Sequence, residues 1–371
     1  MVFDVVLPED TIHVIVQRPP PAAKRDREED AGPSSKRKRH RPHTLMDAIE
    51  DAGLAEKAVV DGQSDLSRLD SKQRVSLLDF TGQEIARTDT FTSLSITALE
   101  SKGVNMKDMD KLSAPHGTIL PVVDTNDLYV REAYKVLYDT ILGTFENNRP
   151  CTGNEVQKHV VVTGTSGIGK SVFLVYFAIR LLAESDDDNP PIIIFHTKRS
   201  AKCYVFEGRS TVRSGNIEAF EPFLNLPDTW YFVDSSPDPV LGRAKTVISA
   251  SPKILFSEAR QYKDVDKKVS WRYYMAPWDL EELKKCRTSV VSFEVVPLET
   301  VEELYSKMGG VPSYRLSLYP DDLERAKVMA CERLVQALDI VKDPVMLMQF
   351  FSQGGRYARL RQPSDSPLAH G

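Results

Sequence analysis

One short segment constrains the fold of this 371-residue chain more than any other. Residues 164–171 read Gly-Thr-Ser-Gly-Ile-Gly-Lys-Ser, which matches the GxxxxGK[ST] pattern of loops that wrap around phosphate groups. Such a loop needs a buried strand before it and a helix after it, because loop amides and the helix start together face the anion. His159–Thr163 has the composition of a buried strand and Ser171–Ala183 that of a helix. This context predicts a strand–loop–helix unit and disfavours a chance glycine-rich turn.

Each part of the loop has a predicted role in binding a nucleoside triphosphate such as ATP. The residues expected to contact the nucleotide are Gly164, Thr165, Ser166, Gly167, Ile168, Gly169, Lys170 and Ser171. The glycines let the backbone approach phosphate closely, and the Lys170 ammonium can reach the outer phosphates in a catalytic role. The Ser171 hydroxyl can bind Mg²⁺.

A second metal ligand is predicted at the end of a later strand. Trp230–Val233 is a short apolar run, and Asp234 follows it directly. We assign Asp234 to the metal and to catalysis, with an ordinary turn aspartate as the alternative. Ser235 stands where many ATPases of this kind carry a glutamate that activates water, and Glu207 and Asp238 are the candidate substitutes. Hydrolysis is therefore expected to be slow, as in a switch, and the sequence leaves enzymatic turnover open.

Other positions are candidates for contact with the γ-phosphate. Thr246–Ala250 is predicted as a strand, and Ser249 or Ser251 can place a hydroxyl there, with a plain strand end as the alternative. Arg315 lies beyond a helix stop at Gly309–Pro312 and can reach the nucleotide from a lid. Trp278 is expected in the core.

Short apolar runs alternate with helical segments, and this alternation predicts an α/β fold with a parallel sheet. A helix is expected over Asp127–Thr144, where apolar residues have helical spacing. The further predicted strands are Thr11–Val16, Pro191–His196 and Ser289–Val296, and the further predicted helices are Thr44–Asp51, Asp70–Leu78, Asp279–Cys286, Val301–Met308 and Asp321–Leu338.

The chain divides into six predicted segments. They are the end of a header-like segment (1–18), a disordered basic linker (19–43), a weakly structured region (44–126), a P-loop NTPase core (127–296), a small helical lid (297–338) and a C-terminal tail (339–371).

Composition excludes several classes of protein. Hydrophobic residues are 41% and charged residues 27%, which is the range of globular chains and not of collagen-like or wholly disordered ones. The longest apolar runs have the length of strands, so no membrane span or membrane partner is expected. The four cysteines are widely spaced, which disfavours a disulfide framework or zinc site and favours a reducing compartment. The amino terminus shows no secretion signal of the usual kind.

Basic residues cluster in the linker. Lys24 and Arg25 are followed, after ten residues, by Lys36–Arg41, which has the layout of a bipartite nuclear-import signal. An extended basic segment can bind the acidic groove of an import carrier, and a solvated charge run or loose nucleic-acid contact is the alternative. The net charge of −5 gives nucleic-acid binding little support.

Several motifs together resemble one family. Residues 7–20 resemble the motif that closes the amino-terminal delivery module of Crinkler effectors of oomycetes and some fungi. Tyr129–Glu132 with the loop at 164–171, Tyr274–Leu283 and Gly309–Pro312 resemble the NTPase segment that many of these effectors carry. By this resemblance the chain is an NTPase-containing Crinkler effector without most of that delivery module.

The resemblance implies a modular virulence protein that is secreted and then acts in the host cell nucleus on cell death or immunity. It implies a nucleoside triphosphate, a host import carrier and host nuclear proteins as partners, and Lys170, Ser171 and Asp234 as nucleotide and metal contacts. The LFLAK delivery motif and the nuclease-like or kinase-like carboxy-terminal domain of some members are expected to be missing.

Two alternatives stand beside an effector with an ATP-binding switch. One is a non-catalytic nuclear interaction protein that uses the NTPase fold as a scaffold. The other is a nucleic-acid-handling ATPase, whose turnover DNA or RNA would stimulate.

Overall fold

A sheet of eight strands lies at the centre of the part of the chain that the structure describes. The structure is a computed structural model, and it describes residues 44–123, 125–146, 159–197, 202–235, 239–251 and 271–312, with residue 328 in addition. The predictions for Thr11–Val16, the basic linker, Asp238, Arg315 and Asp321–Leu338 lie outside these residues.

Five strands of the central sheet run parallel, and three continue it antiparallel. The strands are β1 (Val59–Val60), β2 (Gln63–Ser64), β3 (Gln83–Glu84), β4 (Lys111–Ser113), β5 (Asp127–Tyr129), β6 (His159–Thr163), β7 (Ile193–Thr197), β8 (Cys203–Phe206), β9 (Arg213–Gly215), β10 (Trp230–Asp234), β11 (Lys245–Ser249) and β12 (Trp271–Tyr274). The order across the sheet is β12-β6-β11-β10-β7-β8-β9-β3, with parallel pairing from β12 to β7. Two small antiparallel pairs, β1–β2 and β4–β5, lie apart from it.

Helices cover both faces of this sheet. They are α1 (Leu45–Asp51), α2 (Ala55–Ala58), α3 (Ser71–Leu78), α4 (Thr90–Glu100), α5 (Glu132–Glu146), α6 (Lys170–Ala183), α7 (Ile217–Leu224), α8 (Leu280–Ser289), α9 (Val291–Glu294) and α10 (Leu298–Met308), with a 3₁₀ turn at Leu66–Arg68. Helices α4, α5 and α6 pack on one face, and α1, α3 and α7 pack on the other.

The apolar centre of strand β6, Val160–Val162, is explained by burial on both faces of the sheet. All five of its residues are buried. Val160 and Val162 pack into the core cluster that contains α6, while Val161 packs into the cluster on the opposite face. A strand covered on both faces therefore carries a nearly continuous apolar run and does not alternate apolar with polar residues. The predicted α/β fold is confirmed, and the predicted parallel sheet is found in the five strands from β12 to β7, while β8, β9 and β3 are antiparallel.

The region over residues 44–126 is more ordered than the sequence predicts. The expected helices form as α1 and α3, and each begins with a capping box, at Thr44 and at Asp70. The sequence does not predict α4, whose Phe91 stacks on Tyr204 and meets Phe195 edge to face. The weak pattern of α4 follows from its burial, since polar residues such as Ser93 are also enclosed. Helices α1, α3 and α4 therefore contribute buried residues to the core.

Two predicted elements need correction. The segment Asp127–Thr144 begins as strand β5 and becomes helical only at Glu132, because Leu128 pairs with Leu112 in an antiparallel ladder. The run Ser289–Val296 is not a strand: α8 continues to Ser289 and α9 follows it. Its buried residues are Val290 and Val296, with the partly buried Phe293 between them. A spacing of three residues between buried side chains fits helical turns, whereas the apolar composition alone suggests a strand.

The carboxy-terminal helices agree with their sequence signals. The Asp279 carboxylate accepts a hydrogen bond from the Glu282 amide and forms the capping box of α8. Helix α10 ends at Met308, and its C-cap residue Gly309 has a positive φ of +64°, which glycine adopts without steric cost. No helix among the described residues is long and apolar enough to cross a membrane.

Candidate phosphate-binding site

The glycine-rich loop lies at the carboxyl edge of the parallel strands. Strand β6 ends at Thr163, and α6 begins at Lys170 with Gly169 as its N-cap residue. Carboxyl ends of parallel strands form the edge at which open α/β sheets bind ligands. The side chain of Ile168 is fully buried, so it anchors the loop in the core, while Ser166 is exposed at its tip. Ile168 can therefore offer a ligand only its backbone.

The Lys170 ammonium lies inside the loop. Its Nζ donates hydrogen bonds to the carbonyl oxygens of Gly164, at 2.8 Å, and Thr165, at 2.7 Å. Burial lowers the pKa of this ammonium to about 8, and the charge of Asp234 opposes that shift. The loop thus holds a buried cation against two of its backbone carbonyls.

The Ser171 hydroxyl and the Asp234 carboxylate meet at the start of α6. Ser171 Oγ donates to Asp234 Oδ1 at 2.5 Å. The two residues are 63 positions apart in sequence, and the sheet brings them together because β10 ends at the same edge as β6. The sequence predicted these residues as a pair, and the structure places them in direct contact.

Ser249 occupies the position between the loop and Asp234. Strand β11 lies between β6 and β10, and its pairing places Ser249 opposite Val162 on one side and Asp234 on the other. The Ser249 side chain is 1% exposed, and its Oγ has no hydrogen-bond partner among the described residues. A buried hydroxyl without a partner is costly in a folded protein and points to a ligand or solvent at this place. Ser251, beyond the end of the strand, is partly buried.

Three residues that the sequence did not assign to the site contact the loop from its outer side. Trp278 Nε1 donates to the Ile168 carbonyl at 2.8 Å, and Tyr134 Oη donates to the Gly169 carbonyl at 2.9 Å. The Arg131 guanidinium lies over the Trp278 ring, 4.5 Å from its centroid. Trp278 is buried, as predicted, and it also stabilises the loop through its hydrogen bond to Ile168. No local sequence signal identifies this group, because its members come from separate parts of the chain.

Glu207 does not belong to the site. It follows β8, whose last residue pairs with Ile193 at the start of β7, so it lies at the opposite edge of the sheet. The length of β7 separates it from the loop edge by about 15 Å. Its predicted role as a substitute for the water-activating glutamate is therefore wrong.

The described residues contain no group of three or more histidine, cysteine, aspartate or glutamate side chains that could hold a metal. A site at Ser171 and Asp234 would accordingly suit a cation that keeps most of its ligands from water and phosphate. Mg²⁺ is such a cation, because it loses its bound water slowly and often binds through only one or two protein oxygens.

Comparison with known proteins gives sequence relatives. No family model matches the chain. Crinkler effector protein 15 of Phytophthora infestans is 27% identical over 249 residues, which are 64% of this chain and 35% of that protein. Crinkler effector protein 16 of the same organism is 27% identical over 208 residues, which are 53% of this chain and 29% of that protein. The matched segment thus spans about a third of each relative, 35% and 29% of their lengths.

A solved structure, the FIGL-1 AAA domain in complex with ADP, aligns with 62% of this chain and 89% of its own. The sequence identity is 13% and the TM-score is 0.26. A likeness at that score supports no assignment, and the strand order alone defines the fold.

The burial of Glu207 predicts a pH-dependent stability. The side chain is fully buried, with Arg209 Nη2 3.2 Å from its Oε1 and with Asp79 and Arg213 as the other nearby charges. Burial raises its pKa from 4.5 to about 7, so the folded state keeps a proton that the unfolded state releases. The free energy of unfolding should therefore fall as pH rises from about 4.5 to about 7.

Glu207→Gln removes this titration. When the pH is raised from 5 to 8, the free energy of unfolding of the wild type should fall by about 1–3 kcal/mol relative to that of Glu207→Gln, measured by urea denaturation. Glu221→Gln, at an exposed position, is the control and should follow the wild type at both pH values. Parallel pH profiles for wild type and Glu207→Gln would contradict the assignment.

Proposed function

We propose that this Crinkler-like chain is a host-directed effector whose central sheet binds ATP, or another nucleoside triphosphate, together with Mg²⁺. Sequence similarity to two Crinkler effector proteins confirms the resemblance predicted from the motifs and supports the effector role. Delivery into a host, the nucleus as the place of action, and an effect on cell death or immunity belong to this proposal. They rest on the relatives and on the basic linker.

The buried cation inside the loop carries the nucleotide part of the proposal. Lys170 Nζ lies against the loop backbone, at the edge where the start of α6 contributes its positive dipole end. A polyphosphate offers the negative charge and the acceptor oxygens that this arrangement can bind. Loop amides and the Lys170 ammonium would hold the phosphates, in a P-loop NTPase core.

The oxygen pair at Ser171 and Asp234 fits Mg²⁺. One hydroxyl and one carboxylate, already in contact, are the hard oxygen ligands that this cation prefers. These two residues would hold the ion, which supplies charge neutralisation between phosphate oxygens when bound.

Ser249 would complete the site as a contact to the terminal phosphate. Its unpartnered hydroxyl lies in register between the loop strand and Asp234. A phosphate oxygen would provide the partner that the described protein residues do not.

Slow turnover or none is the expected behaviour, and the site would act as a switch. Ser235 follows Asp234 where many ATPases of this kind carry a glutamate, Glu207 lies at the opposite edge of the sheet, and Asp238 is outside the described residues. Binding of the triphosphate, more than its hydrolysis, would then carry the signal.

Lys170→Ala tests the proposal directly. Loss of a buried cation that contacts phosphate should weaken Mg·ATP binding by about 10- to 100-fold and abolish any phosphate release. Isothermal titration and a phosphate-release assay measure both effects. Lys245→Ala is the control, because this lysine lies at the amino end of β11 and stacks on Trp230. Wild-type protein that binds no ATP would leave a scaffold, the non-catalytic alternative.

Ser249→Ala separates a ligand contact from a structural role. Removing an unpartnered buried hydroxyl should leave the free energy of unfolding unchanged or slightly raise it, while Mg·ATP binding weakens by about three- to tenfold. Thr246→Ala on the same strand is the control: its hydroxyl donates to Ala244, so it should cost stability and leave affinity unchanged. Unaltered affinity in Ser249→Ala would remove this residue from the site.

Substitutions in the basic linker test the proposed nuclear import independently of the nucleotide site. Replacing Lys36–Arg39 with alanine should keep a fluorescent fusion of the chain in the cytoplasm, because the import carrier loses its cationic ligand. Quantitative imaging of the nuclear-to-cytoplasmic ratio in plant cells measures this. Continued nuclear accumulation would contradict the import signal without affecting the nucleotide site.

A further inference from the structure

We propose that Arg131, Tyr134 and Trp278 are positioning residues for phosphate binding: they hold two carbonyls of the loop outward so that the following amides face the phosphates. The inference rests on the proposed nucleotide function. None of the three would touch the ligand. Each acts through the loop backbone.

The contacts converge on two adjacent peptide groups. The Ile168 carbonyl accepts Trp278 Nε1 at 2.8 Å and lies 3.5 Å from Arg131 Nη1. The next carbonyl, that of Gly169, accepts Tyr134 Oη at 2.9 Å and the Phe173 amide of α6 at 2.9 Å. Burial raises the pKa of Tyr134, so this hydroxyl keeps the proton it donates.

Holding these carbonyls determines where the amides point. In a trans peptide the N–H and C=O groups point in opposite directions. Because Trp278 holds the Ile168 carbonyl, the amide of Gly169 points away from Trp278. Because Tyr134 holds the Gly169 carbonyl, the amide of Lys170 points away from Tyr134. Preorganised amides bind an anion without the entropic cost of ordering the loop.

Arg131 joins the loop to the segment before α8. Its guanidinium donates to the carbonyls of Ala276 and Pro277, both at 3.2 Å, and makes two hydrogen bonds with the Glu282 carboxylate, at 3.2 and 2.8 Å. The arginine side chain is only 1% exposed. A buried guanidinium is tolerated when its donors are satisfied in this way. Arg131 thus fixes Trp278 through its ring face and connects three parts of the chain.

Two glycines show how closely these parts approach. A Cβ on Gly169 would overlap Tyr134 Oη, and the φ of +98° at this glycine is the left-handed conformation. A Cβ on Gly310 would overlap the Trp278 carbonyl oxygen. The Trp278 amide donates to the Gly310 carbonyl at 2.9 Å, so the segment after α10 also contacts the group. No other residue type fits either position without a shift of the backbone or of its neighbours.

This arrangement gives a physical reason for motifs that are distant in sequence. Arg131 and Glu282 are 151 positions apart. Tyr129–Glu132 and Tyr274–Leu283 contribute Arg131 and Trp278, which contact the loop, and Gly309–Pro312 contacts Trp278 through Gly310. Their shared task is to shape a loop from the side that faces away from the ligand.

Tyr134→Phe and Tyr138→Phe form a matched pair for the test. Both tyrosines are 1% exposed and lie one turn apart on α5, but Tyr138 Oη donates to Glu184 and not to the loop. Each variant loses one buried hydroxyl and should lose similar stability in urea denaturation without nucleotide. Only Tyr134→Phe should weaken Mg·ATP binding, by about three- to tenfold, in isothermal titration. Trp278→Phe removes the other donor and should weaken binding to a similar degree.

The outcomes separate the two proposals. If the wild type binds no Mg·ATP, both the nucleotide function and the positioning role fail. If the wild type binds and Tyr134→Phe binds equally well, only the positioning role fails. Equal loss of affinity in Tyr134→Phe and Tyr138→Phe would also overturn it, since that result reports general destabilisation. Should Trp278→Phe not fold, the tyrosine pair decides the question alone.

Discussion

Parallel pairing of β6, β11 and β10 is the constraint on which the candidate site depends. The register of these strands brings the loop, Ser249 and Asp234 to one edge, although they come from separate parts of the chain. Helices on both faces keep the strands buried and so keep that register fixed, because a shift by one residue would turn every side chain to the other face. The geometry of Ser171 and Asp234 follows from this packing.

The loop is supported from two sides with different chemistry. Inside, the Lys170 ammonium bonds to loop carbonyls, and burial lowers its pKa to about 8. Outside, neutral donors of Tyr134 and Trp278 hold the carbonyls of Ile168 and Gly169. Ligand chemistry would involve the inner side, while the outer side connects the loop to α5, α8 and the end of α10. A change in the helical region could thereby alter the loop without touching the ligand, which suits a switch.

The sequence predicted the local features of this site well and the long-range ones poorly. The loop, β6, α6 and the strand before Asp234 each have a signal within a few residues, namely a glycine pattern or a buried apolar run. The contact of Arg131 with Glu282 has no local signal, because it joins residues 151 positions apart. For the same reason, nothing near Phe91 indicated that α4 packs on the sheet. At Ser289–Val296 a local signal was misleading. Its β-branched composition suggested a strand, but its buried residues are three positions apart and the segment forms helical turns.

Amide hydrogen exchange with and without Mg·ATP is the direct test for a nucleotide site at this loop, since it reports on the loop residue by residue. Backbone amides of residues 165–171 should exchange more slowly when Mg·ATP is added, and exchange in the remote strands β8 and β9 should be unchanged. The effect should disappear in the Lys170→Ala variant. Unchanged exchange at the loop in the wild type, or slowing only at sites away from the carboxyl edge of the sheet, would contradict a nucleotide site at this loop.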